Sequence, residues 1–200
     1  MIAKNQAEIL ELFRKNIFLS RTIREISIML KKSYPRIYDA AVELEKKKVI
    51  KMRKAGNAKI CELNLSKEAI SIMSFLDEQD AFSRDIPNVN KIIEFGELRE
   101  DIILVTGSYA KGAQTSKSDM DLAVITPSEP FKKQKLIENM TALFLPKIHP
   151  IAISYKDFVK MLIEKEESYG KEIFRNRLVF KNAERYYELI REAADNGFKG

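Results

Sequence analysis

Apolar residues recur at helical spacing through the first part of the chain. Ile9, Leu10 and Phe13 put one buried stripe on residues 5–15, and Ile17-Phe18-Leu19 predicts a short strand before Ser20. Thr22 followed by Glu25 forms a capping box, so a second helix is expected to start there and run through Ile26 to Leu30. Lys31-Lys32-Ser33 interrupts it. Ser33 can cap a third helix with Pro35 in its first turn, where a missing N–H costs nothing, and Ile37, Ala41 and Leu44 supply its inner face. The period then changes. Val49 to Arg53 and Lys59 to Leu63 alternate as strands around Ala55-Gly56-Asn57-Ala58, where Gly56 can take the positive φ of a hairpin turn. Ser66 can cap a further helix, Lys67 to Leu76, striped by Ile70, Met73 and Leu76.

The polar stretch from Asp80 to Pro87 ends in proline and is expected to hold a domain boundary. This gives a first domain at residues 1–66, a linking helix and loop at 67–87, and a second domain at 88–200. In the second, a helix from Asn88 to Leu98 precedes the buried strand Ile102 to Thr106, and Ser118 to Ile125 reads as another strand. A helix from Pro130 to Leu145, with Leu136, Met140 and Leu143 facing inward, leads to a strand from Ile148 to Ser154. Tyr155 to Lys165 reads as helix, Leu178-Val179-Phe180 as strand, and Ala183 to Ala194 as helix with Tyr186, Leu189 and Ile190 inside. Alternating elements of this kind predict an α+β fold, a mixed sheet with packed helices. Met73, Met161 and the tyrosines of the C-terminal segment fit a core better than a binding surface.

The order helix, short strand, helix, turn, helix, hairpin over about residues 5–65 resembles the winged helix-turn-helix domains of many regulators. Charge sharpens that resemblance. Residues 1–66 hold 15 Lys and Arg against 7 Asp and Glu, a net +8, although the whole chain carries only +6. A basic module beside a near-neutral one points to a polyanion as partner of the first. In that reading Arg36 and Tyr38 on the third helix face a major groove. Lys51, Arg53, Lys54 and Lys59 on the wing meet phosphates, and Lys31 and Lys32 assist at the turn. Asp39, Glu43 and Glu45 share the third helix, so DNA or RNA contact stands beside protein docking and a plain solvated surface as alternatives. The stripe of the linking helix is equally suited to packing within the chain and to a homodimer contact.

The single cysteine, Cys61, cannot form an internal disulfide, and the first residues lack the pattern of a secretory leader, so a cytoplasmic location is expected. No apolar stretch approaches the roughly 20 residues that cross a bilayer, which argues against a membrane role.

The strand Ile102 to Thr106 runs directly into Gly107-Ser108-Tyr109-Ala110-Lys111-Gly112, where glycine permits a tight turn into a short helix. Backbone N–H groups at such a turn are donors to phosphate oxygens, with the Ser108 hydroxyl beside them and Lys111 adding a point charge. Next comes Ser118-Asp119-Met120-Asp121-Leu122. Residues two apart on a strand share a face, so the Asp119 and Asp121 carboxylates converge and suit a hard divalent cation such as Mg²⁺ together with substrate phosphates. Acids at a solvated strand start are the bland alternative, but they leave the upstream turn unexplained.

A Gly-Ser turn followed after about ten residues by Asp-x-Asp in a strand resembles the signature of DNA polymerase β-type nucleotidyltransferases. The form Gly107-Ser108-Tyr109-Ala110-Lys111-Gly112 with Ser118-Asp119-Met120-Asp121-Leu122 is similar to the minimal nucleotidyltransferases, including antitoxins that adenylylate proteins. The resemblance covers about residues 88–182. It implies that Gly107 and Ser108 hold the triphosphate of a nucleotide, ATP by default, with Lys111 and Ser118 as lesser phosphate contacts. It implies also that Asp119 and Asp121 are catalytic ligands of Mg²⁺, and that an acceptor hydroxyl attacks the α-phosphate with release of pyrophosphate. The acceptor is expected to be a protein first, a nucleic acid second and a small molecule third.

Many members of that family carry a third carboxylate on a later strand. Here that strand is Ile148 to Ser154, which has no Asp or Glu, and the sole histidine, His149, sits at its entry, where a surface or structural role is expected. Three alternatives follow. Two aspartates suffice, or Asp157 or Glu129 swings in, or the site binds nucleotide without turnover in a DNA-binding regulator.

Overall fold

Thr22 and Glu25 cap each other as their spacing predicts. In the computed structural model, which describes residues 2–200, the Thr22 hydroxyl accepts the Glu25 N–H at 3.2 Å and the Glu25 carboxylate accepts the Thr22 N–H at 2.7 Å. Helix α2 (Ile23–Met29) therefore starts where predicted. It lies between α1 (Lys4–Lys15) and α3 (Tyr34–Lys46), the latter with Pro35 in its first turn. The short strand is displaced from its expected place: β1 is Ser20–Thr22, while Ile17 and Leu19 are core residues of the preceding turn. Strands β2 (Ile50–Ala55) and β3 (Ala58–Leu63) form a hairpin closed by Gly56 at φ +57° and Asn57, and the sheet order is β1-β3-β2, all antiparallel.

Ile9, Leu10, Phe13, Ile26, Ile37, Leu44 and Cys61 are fully buried in this unit. Burial, followed by the nearby charges of Glu45 and Glu62, pushes the Cys61 thiol up to about 11. A thiol held that far above its ordinary value stays protonated at neutral pH and inert. At pH 8 Cys61 is expected to resist iodoacetamide in the folded protein and to react within minutes in denaturant, which mass spectrometry reads directly. Prompt labelling of the native protein would contradict this burial.

Contacts divide the chain into two compact units, Met1–Leu76 and Asp77–Gly200, and the division falls inside α4 (Lys67–Phe82). The Ser66 hydroxyl accepts the Ala69 N–H at the start of that helix. In the second unit the expected helix from Asn88 to Leu98 is broken. It ends as α5 (Val89–Ile93) and resumes as one 3₁₀ turn at Gly96–Leu98.

Four strands, β4 (Ile102–Val105), β5 (Met120–Thr126), β6 (Ile148–Ser154) and β7 (Leu178–Lys181), make a sheet of order β6-β5-β4-β7. Only β5 and β6 are parallel. Parallel neighbours need a crossover, and α7 (Pro130–Met140) supplies it between them. That helix ends five residues before the predicted Leu145, and Leu143, expected inside, is 95% exposed because it lies in the loop beyond the helix; Ile137 is the buried residue of α7. The remaining helices are α6 (Gly107–Lys111), α8 (Tyr155–Ile163), α9 (Tyr169–Arg175) and α10 (Ala183–Asp195), of which α9 is not foreseen from the sequence. Ile103, Val105, Leu122, Val124 and Ile137 centre the core of this α+β unit. Among the described residues no helix is long and apolar enough to cross a membrane.

Candidate active site

All four residues of β4 are buried, and the strand delivers Thr106 and Gly107 to one end of the sheet. The Thr106 N–H donates to the Asp121 carbonyl at 2.9 Å, which ties the turn to β5. Gly107 stands at φ +61°, and a Cβ there would meet Asp121 Oδ2 at 2.0 Å. Glycine is required twice over, by the left-handed backbone and by the carboxylate lying against its Cα. Half-buried Ser108 follows, Tyr109 anchors α6 in the core, and Gly112 at φ +66° ends the helix with Lys111 exposed beside it.

The left-handed backbone alone makes Gly107→Ala cost about 1–2 kcal/mol, and the clash adds displacement of Asp121. We expect a clear loss of stability in urea denaturation together with loss of nucleotide binding. A variant with wild-type binding would show that the cradle is unimportant.

The chain returns through a turn that Ser118 organises. Its hydroxyl accepts the Thr115 N–H at 2.9 Å and lies 3.2 Å from the Thr115 hydroxyl. Strand β5 begins at Met120, two residues later than the expected Ser118, so Asp119 is the residue before it and Asp121 its second. Asp119 is 44% exposed and Asp121 half-buried. Alternation along the strand gives the two the same side.

His149 is where the structure adds most to the sequence reading. In the parallel register of β5 and β6 it pairs with Asp121, and its Nε2 lies 3.6 Å from Asp119 Oδ2. It is exposed, but on the face that bears the carboxylates. The two acids considered as substitutes for a missing carboxylate are at the wrong end of the sheet. Asp157 lies in the first turn of α8, where its carboxylate accepts the hydroxyl of the capping Ser154 at 2.6 Å, and Glu129 pairs with Lys132 beyond the end of β5. At about 3.3 Å per residue, the five steps from Asp121 to Thr126 alone separate them from the site by about 17 Å. Neither reaches it.

Tyr169, the first residue of α9, was not singled out by its pattern. Its hydroxyl is buried and makes no hydrogen bond of good geometry, although Thr106 is close by. Burial raises its pKa, the Thr106 side chain opposes that, and the Asp121 charge adds to it. The only local signal was Ser168, whose hydroxyl caps α9 by accepting the Lys171 N–H. Among the described residues, no three His, Cys, Asp or Glu side chains stand together as a ready metal site.

In the first unit the basic candidates separate. Lys31, Arg36, Lys51 and Lys54 are exposed. Lys32 is drawn to α1 by Glu8 at 2.7 Å and Asn5 at 3.0 Å, and Arg53 pairs with Glu62 at 3.1 Å. Lys59 donates to the Tyr38 hydroxyl at 2.9 Å, and Tyr34 stacks on Tyr38 with ring centroids 6.0 Å apart.

Residues 86–181 match the family model of the nucleotidyltransferase domain. The matched span contains the Gly107 turn, Asp119, Asp121, His149 and all four strands of the second sheet. The likeness is confined to that span, a little under half of the chain, and it supports nucleotidyl transfer as the general chemistry of the second unit. No curated protein and no solved structure matches the chain.

Proposed function

We propose that the second unit transfers a nucleoside monophosphate from a nucleoside triphosphate, ATP by default, to an acceptor hydroxyl. The observation that carries this is the Asp121 carboxylate packed against the bare Cα of Gly107, which places an acid beside the phosphate-binding turn. Gly107 and Ser108 hold the triphosphate, Lys111 supplies a further positive charge, and Ser118 shapes the turn that presents Asp119. The donor set suits a hard divalent cation: Asp119 and Asp121 offer oxygens on one side of the chain, and the cradle leaves room for one of them to approach the phosphates. Asp119 and Asp121 would hold the ion, Mg²⁺ in the sequence reading, and when bound it offsets charge on the phosphates. The chain itself orients donor and acceptor, so most of the rate gain comes from positioning and charge stabilisation.

The first unit fits a winged helix-turn-helix module, with α3 as the groove helix and the β2–β3 hairpin as the wing. Lys31, Arg36, Lys51 and Lys54 are among its exposed cations, and its partner is DNA, RNA or the acceptor protein. A protein hydroxyl is the first choice of acceptor.

One observation favours a second reading. Among the described residues no third carboxylate forms a ready metal site with Asp119 and Asp121, and Asp157 and Glu129 lie beyond reach, as in a regulator that binds nucleotide without turnover. Incubation with Mg²⁺ and each of the four nucleoside triphosphates, labelled at the α-phosphate, in host lysate decides between them. Label transferred by the wild type and not by Asp119→Asn establishes the enzyme and identifies its acceptor. Nucleotide binding without transfer establishes the regulator.

A further inference from the structure

His149 reaches the carboxylates from a different strand. Pairing of β5 with β6 sets it across from Asp121, and its Nε2 faces Asp119 Oδ2 at 3.6 Å. Donors that share one small divalent ion at about 2.1 Å each stand roughly 3 Å apart. The His149–Asp119 pair is thus within a small closing movement of the separation that a shared ion imposes. Asp121, two residues along on the same side and level with His149 in the strand register, completes a set of two oxygens and one nitrogen. All three groups are open to solvent or half-buried, so the ion and its remaining water or phosphate ligands have an entry path.

We propose that His149 is the third metal donor of this site and that its nitrogen makes the site prefer Mn²⁺ over Mg²⁺. The inference rests on the reading above in which Asp119 and Asp121 hold the ion. Its physical basis is donor chemistry. Mg²⁺ is best served by an all-oxygen shell, whereas first-row transition ions gain from an imidazole nitrogen, and Mn²⁺ accepts both donor types.

The test is direct binding of each metal alone, by calorimetry and by electron spin resonance, to the full chain and to its variants. Wild type is expected to bind Mn²⁺ about tenfold or more tightly than Mg²⁺. His149→Ala is expected to weaken Mn²⁺ by about tenfold or more while leaving Mg²⁺ nearly unchanged, and His149→Asp to move the preference back to Mg²⁺. Because the chain has one histidine, a spin-echo modulation from an imidazole nitrogen on bound Mn²⁺ belongs to His149 and must vanish in His149→Ala.

Mn²⁺ binding that needs Asp119 and Asp121 but ignores His149, with no nitrogen modulation, would overturn the proposal and leave the two-aspartate site standing. The contact is then a surface ion pair. Failure of the wild type to bind either ion, even with ATP present, would overturn the two-aspartate reading as well. Circular dichroism of each variant separates loss of binding from loss of fold.

Discussion

Asp121→Asn is expected to lower nucleotidyl transfer on the order of 10²–10³-fold while leaving the fold intact. Asparagine has nearly the shape of aspartate, so it still fits against the Gly107 Cα, and the backbone bond from Thr106 to the Asp121 carbonyl does not involve the side chain. What disappears is the negative charge with which residue 121 would hold a cation in the proposed reading. Asp119→Asn should behave alike with even less effect on stability, because that side chain is 44% exposed. The measurement is the rate of transfer from α-labelled nucleotide at saturation, beside urea denaturation of each variant. Asp157→Asn and Glu129→Gln serve as controls, and both are expected to retain wild-type rates because they lie past the C-terminal ends of β6 and β5, away from Asp119 and Asp121. Wild-type activity in Asp121→Asn would remove Asp121 from the mechanism.

The largest effect on stability is expected from Asp77→Leu, at about 3–5 kcal/mol. Asp77, from the C-terminal half of α4, accepts from Arg177 Nη2 at 3.2 Å and from the Tyr187 hydroxyl at 2.7 Å, and the Asp77 and Arg177 side chains are 7% and 10% exposed. The guanidinium also faces the rings of Tyr186 and Phe174 at 4.9 and 5.6 Å. Burial opposes its charge. Its neighbours outweigh that and hold it firmly protonated, with Asp77 the one that carries a full opposite charge. Removing Asp77 strands a buried cation whose Nε already lacks a hydrogen-bond partner. Asp77→Leu combined with Arg177→Met takes out both charges and should lose less stability than Asp77→Leu alone. Urea denaturation of the two single variants and the double completes the cycle, and simple additivity would show that the two side chains are not coupled.

Local chemistry made much of this molecule legible before any coordinates. Thr22 with Glu25, Pro35 in a first turn, Gly56 in a hairpin and Gly107 after an apolar strand are each short-range devices, because a cap, a turn or a strand period is satisfied by residues a few positions apart. The boundaries that moved did so for equally physical reasons. Gly96 interrupts the helix expected to run to Leu98, and Leu143 falls in a loop because α7 stops at Met140. Helix α9 is only 7 residues long, and its apolar positions, Tyr169, Ile173 and Phe174, are too few to show a period in the sequence.

The sequence by itself determined the strand-turn-helix that bears Gly107 and Ser108, the strand that bears Asp121 with Asp119 at its entry, and the basic character of the first unit. Only the tertiary structure decided what else stands at the site. His149 is 28 residues from Asp121 and meets it through the register of two parallel strands joined across α7, and Tyr169 arrives through α9. The same register carries Asp157 and Glu129 to the far end of the sheet. A strand's period is written in neighbouring residues, whereas its register with a distant strand is settled by how both bury their apolar faces in a common core.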